Sequence, residues 1–281
     1  MSTVTIRHFT DPGCPFAFSA ERQRLRLLWL YGDQIAWELH MVVLHSERAE
    51  EWTSGETFRR LQLQYGMPID WRPRLWDQAT IHACRAVVAA RLRWPGREVA
   101  LLRRLRVLTM GGELLDDSDT LEVAAGQAGL PVEELAAFCA EPEVEAALRA
   151  DMAAARSPSA ASRAQDYKLG GSVEERRYTC PSYEMLRTAG PHPEWETAGR
   201  VDLPGFRPVE AYEAALANLA PELERRPDPS SVDEALAWAG IPLATAEVAA
   251  VSDREIPDVR AELSRTARFE PVGGDGYWSA A

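Results

Sequence analysis

Lysine is almost missing from this chain. Lys168 is the only one among 281 residues, and every other basic side chain is an arginine. We read this as a coding bias without functional weight. Positive charge is short overall: 31 Lys and Arg face 43 Asp and Glu, a formal charge of −12. So acidic a surface excludes a general nucleic-acid binder, because affinity for phosphate backbones rests on clustered Lys and Arg. No run approaches the ~18 apolar residues of a transmembrane helix, so no membrane partner is expected. Residues 1–8 lack the charged start and apolar centre of a signal peptide, which predicts a cytoplasmic location.

Cysteine is sparse as well. Cys14, Cys84, Cys139 and Cys180 stand too far apart for a disulfide framework or a paired-cysteine zinc site. The five histidines, at positions 8, 40, 45, 82 and 192, show no metal-ligand spacing and read as core or surface residues. His8, His40 and His45 lie on or beside the first two strands, within reach of a cleft. Dinucleotide, Walker, nucleophile-elbow and zinc-protease motifs are all missing. No metal and no bound cofactor is therefore expected.

What is present reads as a folded protein. Hydrophobic residues make up 46% and charged residues 26%, ordinary for one large core with or without a small satellite. Residues 4–9 alternate as a strand and run into the turn-rich Thr10-Asp11-Pro12-Gly13-Cys14-Pro15. A helix is predicted over 16–30, with Leu25, Leu28 and Trp29 facing inward. The apolar segment 35–44 reads as a second strand, central and buried on both faces. Strand, helix, strand makes a βαβ unit with parallel strands.

Residues 50–165 show helical periodicity with no strand signal. The expected helices cover 57–65, 80–94, 99–108, 121–128, 132–139 and 144–156, an all-helical insertion inside an α/β domain. Residues 178–186 then read as a strand entered through a proline, 199–203 as another, and 209–223 as a helix facing inward through Tyr212, Ala215, Leu216 and Leu219. A linker is expected at 225–229. In the remainder, Ser231 with Glu234 suggests a capping box, Thr245 a second cap, and Pro257 the start of a third helix. A hairpin is expected around Gly273-Gly274-Asp275-Gly276. Three helices and a hairpin outline a winged-helix-like domain over 226–281, against a larger domain over 1–225. From Asp228 onward ten acidic residues face four arginines, which favours protein contacts over nucleic acid for this module.

Chemistry concentrates at Cys14. A cysteine at a strand-to-helix junction meets the unpaired N–H groups of the first turn, which favour a thiolate. Pro15 suits that first turn because it has no donor to leave unpaired. Asp11 either tunes the thiol or fixes the turn. The other reading of Cys14 is a small buried apolar residue.

These residues carry a resemblance. The order strand, Asp11-Pro12-Gly13-Cys14-Pro15-Phe16-Ala17, helix, strand, helical insertion, Thr179-Cys180-Pro181, two strands and helix resembles a DsbA-like thioredoxin fold over about residues 4–225. Within it the chain is most similar to the FrnE-like disulfide oxidoreductases. Their relatives include kappa-class glutathione transferases and hydroxychromene-carboxylate isomerases. The resemblance implies an α/β thioredoxin-like fold, Cys14 as the attacking cysteine and Pro181 as a cis-proline opposite it. It implies a thiol- or substrate-binding set of Asp11, Pro15, Phe16, Thr179, Cys180 and Pro181. The alternative for Pro181 is an ordinary trans proline opening a strand.

The departure is at position 17. The family's second cysteine would fall there, and this chain has Ala17, so Cys-Pro-Phe-Ala replaces Cys-x-x-Cys and cannot cycle a disulfide within itself. Three readings stay open: a monothiol resolved by a low-molecular-weight thiol, a site activating such a thiol for transfer, or a site without chemistry. In the last case the chain is a binding or regulatory protein. Cys180 is either an unconventional resolving thiol or groove lining; Cys84 and Cys139 read as core. The expected partners are a small thiol or a thiol-containing substrate. The tryptophans at 29, 37, 71, 76, 94 and 238 read mostly as core, although Trp52, Trp71 and Trp76 are also placed to wall a groove beside the insertion.

Overall fold

The computed structural model describes residues 4–48, 52–53, 55–72, 74–75, 78–187 and 199–281. His192 and the side chains of Trp52 and Trp76 lie outside the described residues.

Strand β1 (Val4–Thr10) leads through the turn at 11–14 into α1 (Pro15–Ser19) and α2 (Glu21–Tyr31), and the chain returns as β2 (Ile35–Met41). The two strands pair in parallel, with Val4 opposite Ile35 and Thr10 opposite Met41. The expected single helix over 16–30 is two helices that meet at Ala20.

The strand expected to be central is an edge strand: the sheet order is β2-β1-β7-β8. Its apolar side chains Leu39 and Met41 instead pack under the helical insertion, and its outer backbone groups are capped from there. Asp151 accepts the Met41 N–H at 3.0 Å, and Arg91 donates to the Leu39 carbonyl. Both caps cover groups that would otherwise be open to another strand. The strand also stops short of Leu44, because Val43 adopts φ 54° and turns the Leu44 N–H onto Asp11 at 2.9 Å.

The insertion begins with β3 (Trp52–Thr53), α3 (Glu56–Tyr65) and β4 (Arg74–Leu75), where β3 and β4 form a two-residue antiparallel ladder that periodicity did not signal. Helices α4 (Ile81–Arg93), α5 (Glu98–Gly111), α6 (Ser118–Gln127), α7 (Val132–Phe138), α8 (Pro142–Ala155) and the short α9 (Ala160–Arg163) follow. Ala83, Val87, Leu101, Leu105, Leu135 and Leu148 share one buried cluster between them.

Beyond the insertion, β5 (Leu169–Gly170) and β6 (Arg177–Tyr178) form a second small ladder. Strands β7 (Ser182–Arg187) and β8 (Gly199–Leu203) then complete the main sheet, β7 running antiparallel to β1 with Phe9 opposite Ser182. Helix α10 (Val209–Leu219) buries Tyr212, Ala215, Leu216 and Leu219.

The last part of the chain carries α11 (Val232–Ala239), β9 (Leu243–Ala244), α12 (Thr245–Ser252), α13 (Ile256–Thr266), β10 (Ala267–Val272) and β11 (Asp275–Ala280), with strand order β10-β11-β9. Ser231 caps α11 by accepting the Glu234 N–H at 3.2 Å. Thr245 does not cap α12; it accepts from Trp278 Nε1 at 2.9 Å, while Glu247 accepts the Ala244 N–H at 2.8 Å.

The boundary at residue 226 divides the chain and not its core. Val4, Leu27, Met185 and Leu216 share one buried cluster with Val232, Val248, Leu263 and Trp278. The segment expected as a linker is tied down on both sides. Trp29 Nε1 donates to the Pro227 carbonyl at 2.9 Å, Arg26 to Asp228 at 2.7 Å, and the Arg226 guanidinium lies 3.6 Å from the Trp29 ring centre. A buried ion pair, Arg103 with Glu247, fastens α5 to α12.

Candidate active site

Cys14 occupies the position just before α1, with extended backbone and Pro15 as the first helical residue. The helix is only five residues long, so local N–H groups act on the thiol in place of a long helix dipole. Asp11 builds the turn. Its buried carboxylate accepts the Gly13 N–H at 2.7 Å, the Leu44 N–H at 2.9 Å, the Thr80 hydroxyl at 2.7 Å and the Cys84 thiol at 3.5 Å. A side chain at Gly13 would lie 2.7 Å from Thr80 Cγ2, so the tight approach of α4 to this turn needs a glycine. Of the two roles left open for Asp11, it fulfils both: it fixes the turn, and its negative charge raises the thiol pKa of Cys14 and Cys84.

The second half of the site comes from the loop before β7, and the Cys180–Pro181 bond is cis. Three hydrogen bonds hold that loop. The Thr179 hydroxyl donates to the Lys168 carbonyl at 2.8 Å, Ser182 Oγ to the Thr179 carbonyl at 2.6 Å, and the Gly205 N–H to Ser182 Oγ at 2.9 Å.

The two halves meet across 166 positions of sequence: Cys14 Sγ donates to the Cys180 carbonyl at 3.4 Å. Cys14 and Cys180, 5% and 6% exposed, share one apolar cluster with Phe9, Ala17, Val42 and Tyr178. Ala17 thus packs into the cluster in which a second motif cysteine would sit. Phe16 projects beside them, 41% exposed.

The four thiols differ in acidity for identifiable reasons. Cys14 lies below the ordinary thiol range: a hydrogen bond from the Cys180 thiol and the N–H groups of Ala17 and Phe16 outweigh burial and the charge of Asp11. Burial pushes Cys180 well up, and the bond and charge of Cys14 add to it. Burial and Asp11 push Cys84 well up, and burial lifts Cys139 to about 11. Only the Cys14 thiolate is favoured, and the thiolate is the nucleophilic form.

At the end of β1 lies a buried charge network with no sequence signal. Arg106 donates to Glu21 at 2.6 Å and to the Thr10 hydroxyl, so α5 is locked to the end of β1 and the start of α2. Burial alone would raise the Glu21 pKa, but Arg24 and Arg106 hold it at about 2. Thr80 and Ser182 were also missed as site-builders; each acts through a hydroxyl whose partner is distant in sequence.

The remaining candidates fall elsewhere. His8 is buried against Tyr183 and Trp37, with no hydrogen-bond partner on either ring nitrogen among the described residues. His40 stacks on Phe9 and stands 3.3 Å from Asp151, and His45 and His82 are exposed. Among the described residues no three His, Cys, Asp or Glu side chains converge on a metal position. Trp71 is exposed, correcting its assignment to the core, and lines a cleft with Asp70, Arg72 and Gly273. An apolar cavity of about 340 Å³ lies within the insertion, lined by residues including Leu121, Val132, Leu135 and Cys139 but not by Cys14 or Pro181. Among the described residues no helix is long and apolar enough to cross a membrane.

With this geometry in hand, comparison with known proteins defines the class. Residues 5–160 match the DSBA-like thioredoxin domain, so the chain belongs to that family. It is similar in fold to a probable DsbA oxidoreductase from Streptomyces coelicolor, at 18% identity over 78% of this chain and 91% of that one, with a TM-score of 0.54. It is similar also to the cytosolic disulfide reductase DsbM from Pseudomonas aeruginosa, at 15% identity over 77% of this chain and all of that one, with a TM-score of 0.52. No curated protein matches the sequence.

Proposed function

We propose that this protein is a thiol-disulfide oxidoreductase or thiol transferase that works through Cys14 as its single motif nucleophile, with a low-molecular-weight thiol as cosubstrate. The observation that carries the reading is the contrast among the four thiols. Cys14 alone is drawn toward the thiolate, and it stands against the backbone of the Cys180–Pro181 loop. In this chemistry the Cys14 thiolate attacks a sulfur of a disulfide substrate, forms a mixed disulfide and expels the other half as a thiolate. A small thiol then attacks the mixed disulfide, leaves as a new disulfide and returns Cys14. Ala17 supplies no second sulfur within the motif, and the external thiol is the source of reducing equivalents. The small exposure of Cys14 favours slender thiols or extended segments over bulky folded substrates.

Asp11, Pro15 and Thr179 act here as positioning residues, while Phe16, Cys180 and Pro181 face the incoming sulfur. The chemistry needs thiols kept reduced, which agrees with a cytoplasmic setting. For residues 226–281 we read a winged-helix-like module with a protein-contact role. Its helices α11 to α13 and the β10-β11-β9 sheet support the outline. Asp258 and Glu262 on α13 oppose docking on phosphates.

Alkylation of the intact protein with iodoacetamide across a pH series tests the central point. Cys14 is expected to react faster at pH 7 than Cys84 or Cys139, and Cys14→Ala to abolish reduction of small disulfides. Alkylation of the helical cysteines with Cys14 untouched overturns the reading.

A further inference from the structure

We infer that Cys180 is the resolving thiol of this site, so that Cys14 and Cys180 form a reversible intrachain disulfide in place of the missing motif pair. The inference rests on Cys14 being the nucleophile, as proposed above. It starts from three placements. Cys14 Sγ lies 3.4 Å from the carbonyl of Cys180 itself, and the two residues belong to one buried cluster. Ala17 supplies no sulfur where the motif would place one. The remaining cysteines are committed elsewhere: Cys84 donates to Asp11 at 3.5 Å, whose charge opposes its ionisation, and Cys139 lies on the cavity inside the insertion.

The steps balance. The Cys14 thiolate attacks a low-molecular-weight disulfide, forming a Cys14 mixed disulfide and releasing one small thiolate. Cys180 gives its proton to that thiolate, and its sulfur attacks Cys14 Sγ. The second small half leaves as a thiolate, which takes from solvent the proton that Cys14 lost on ionising, and the Cys14–Cys180 bond forms. Two protein thiols are oxidised and one small disulfide becomes two thiols. Two further small thiols reverse the process.

The two sulfurs change roles in a coupled way. While Cys14 is a thiolate, its charge and the hydrogen bond it receives hold Cys180 protonated. Once Cys14 is in a mixed disulfide both influences are gone; burial and the charge of Asp11 still oppose the Cys180 thiolate and Arg177 favours it, so its proton leaves to the small thiolate released in the first step. The span of 166 residues is no obstacle, because the folded chain already holds both residues together and closure cost grows only logarithmically with length.

The test is oxidation of the intact protein with oxidised glutathione, followed by non-reducing peptide mapping. A dominant Cys14–Cys180 peptide with no retained glutathione is expected. In Cys180→Ala, and in Cys180→Ser as a second variant that keeps a donor, the Cys14–glutathione adduct should rise at least about tenfold over wild type, because intramolecular attack no longer discharges it. A wild-type protein that keeps glutathione on Cys14 and forms no Cys180 bridge overturns the inference and leaves the monothiol mechanism standing. A bridge from Cys14 to any other cysteine overturns it too. A Cys14 that takes up no glutathione and forms no bridge overturns both.

Discussion

Asp11→Asn separates the two jobs of Asp11. All four partners of the carboxylate are donors, and two of them are backbone N–H groups that cannot turn away. An amide keeps one acceptor and puts an NH₂ group in place of the other. The cheaper orientation leaves Oδ on Leu44, Thr80 and Cys84 and turns the NH₂ toward the Gly13 N–H. A part-buried N–H orphaned in this way costs about 1–3 kcal/mol, and three remaining bonds lose their charge assistance, so a total near 3 kcal/mol is expected. Acidity moves the other way. Asp11 raises the pKa of Cys14, so its neutralisation lowers that pKa, and the thiolate fraction at pH 7 rises. The variant should thus unfold at lower urea while its Cys14 alkylates faster at neutral pH. Equilibrium urea unfolding and a pH series of alkylation under folded conditions read the two effects separately. A folded variant within ~0.5 kcal/mol of wild type, or one whose Cys14 titrates at higher pH, would refute the reasoning.

Three further outcomes follow from buried charge. The Glu21 carboxyl is depressed from 4.5 to about 2, so its contribution is complete above about pH 4.5 and is lost as pH falls toward 2. Glu21→Gln should therefore be roughly 3 kcal/mol less stable than wild type at pH 7, with the gap closing in acid, as read by denaturation at several pH values. Burial and Arg106 hold the His8 pKa well below 6.5, so folding opposes its protonation and stability falls as pH drops below about that value. His8→Phe should flatten that part of the profile; an unchanged profile contradicts the burial argument. Arg103→Met leaves Glu247 buried without its counter-charge and should cost about 3 kcal/mol or more in thermal or urea unfolding, whereas a neutral result would show that the pair does not fasten α5 to α12.

Local chemistry determined much of this protein in advance. Apolar spacing marked helices α3 to α8 within a few residues, because each must bury one stripe whatever it packs against. The inward face of α10 was legible for the same reason. Alternation and the Pro-Gly-Cys-Pro run marked β1 and its junction with α1, since a proline there ends a strand and suits a first helical turn. Cys14 was therefore visible as a candidate from its neighbours alone.

What only the tertiary structure decided depends on pairs far apart in sequence. The edge position of β2 follows from pairing order, and periodicity sees a covered edge strand and a central one alike. Glu21 with Arg106 and Arg103 with Glu247 lie 85 and 144 positions apart, and each residue alone reads as a surface charge. Thr80 and Ser182 became site-builders only because folding brought a carboxylate and a loop carbonyl to their hydroxyls. The shared core joined residues 226–281 to the rest, although composition and punctuation set them apart. Position 17 shows both sides: sequence showed the missing sulfur and the resemblance implied a proline loop opposite Cys14, while the fold supplies the 3.4 Å approach of Cys14 Sγ to the Cys180 carbonyl, since contact across 166 residues is a property of packing and not of spacing.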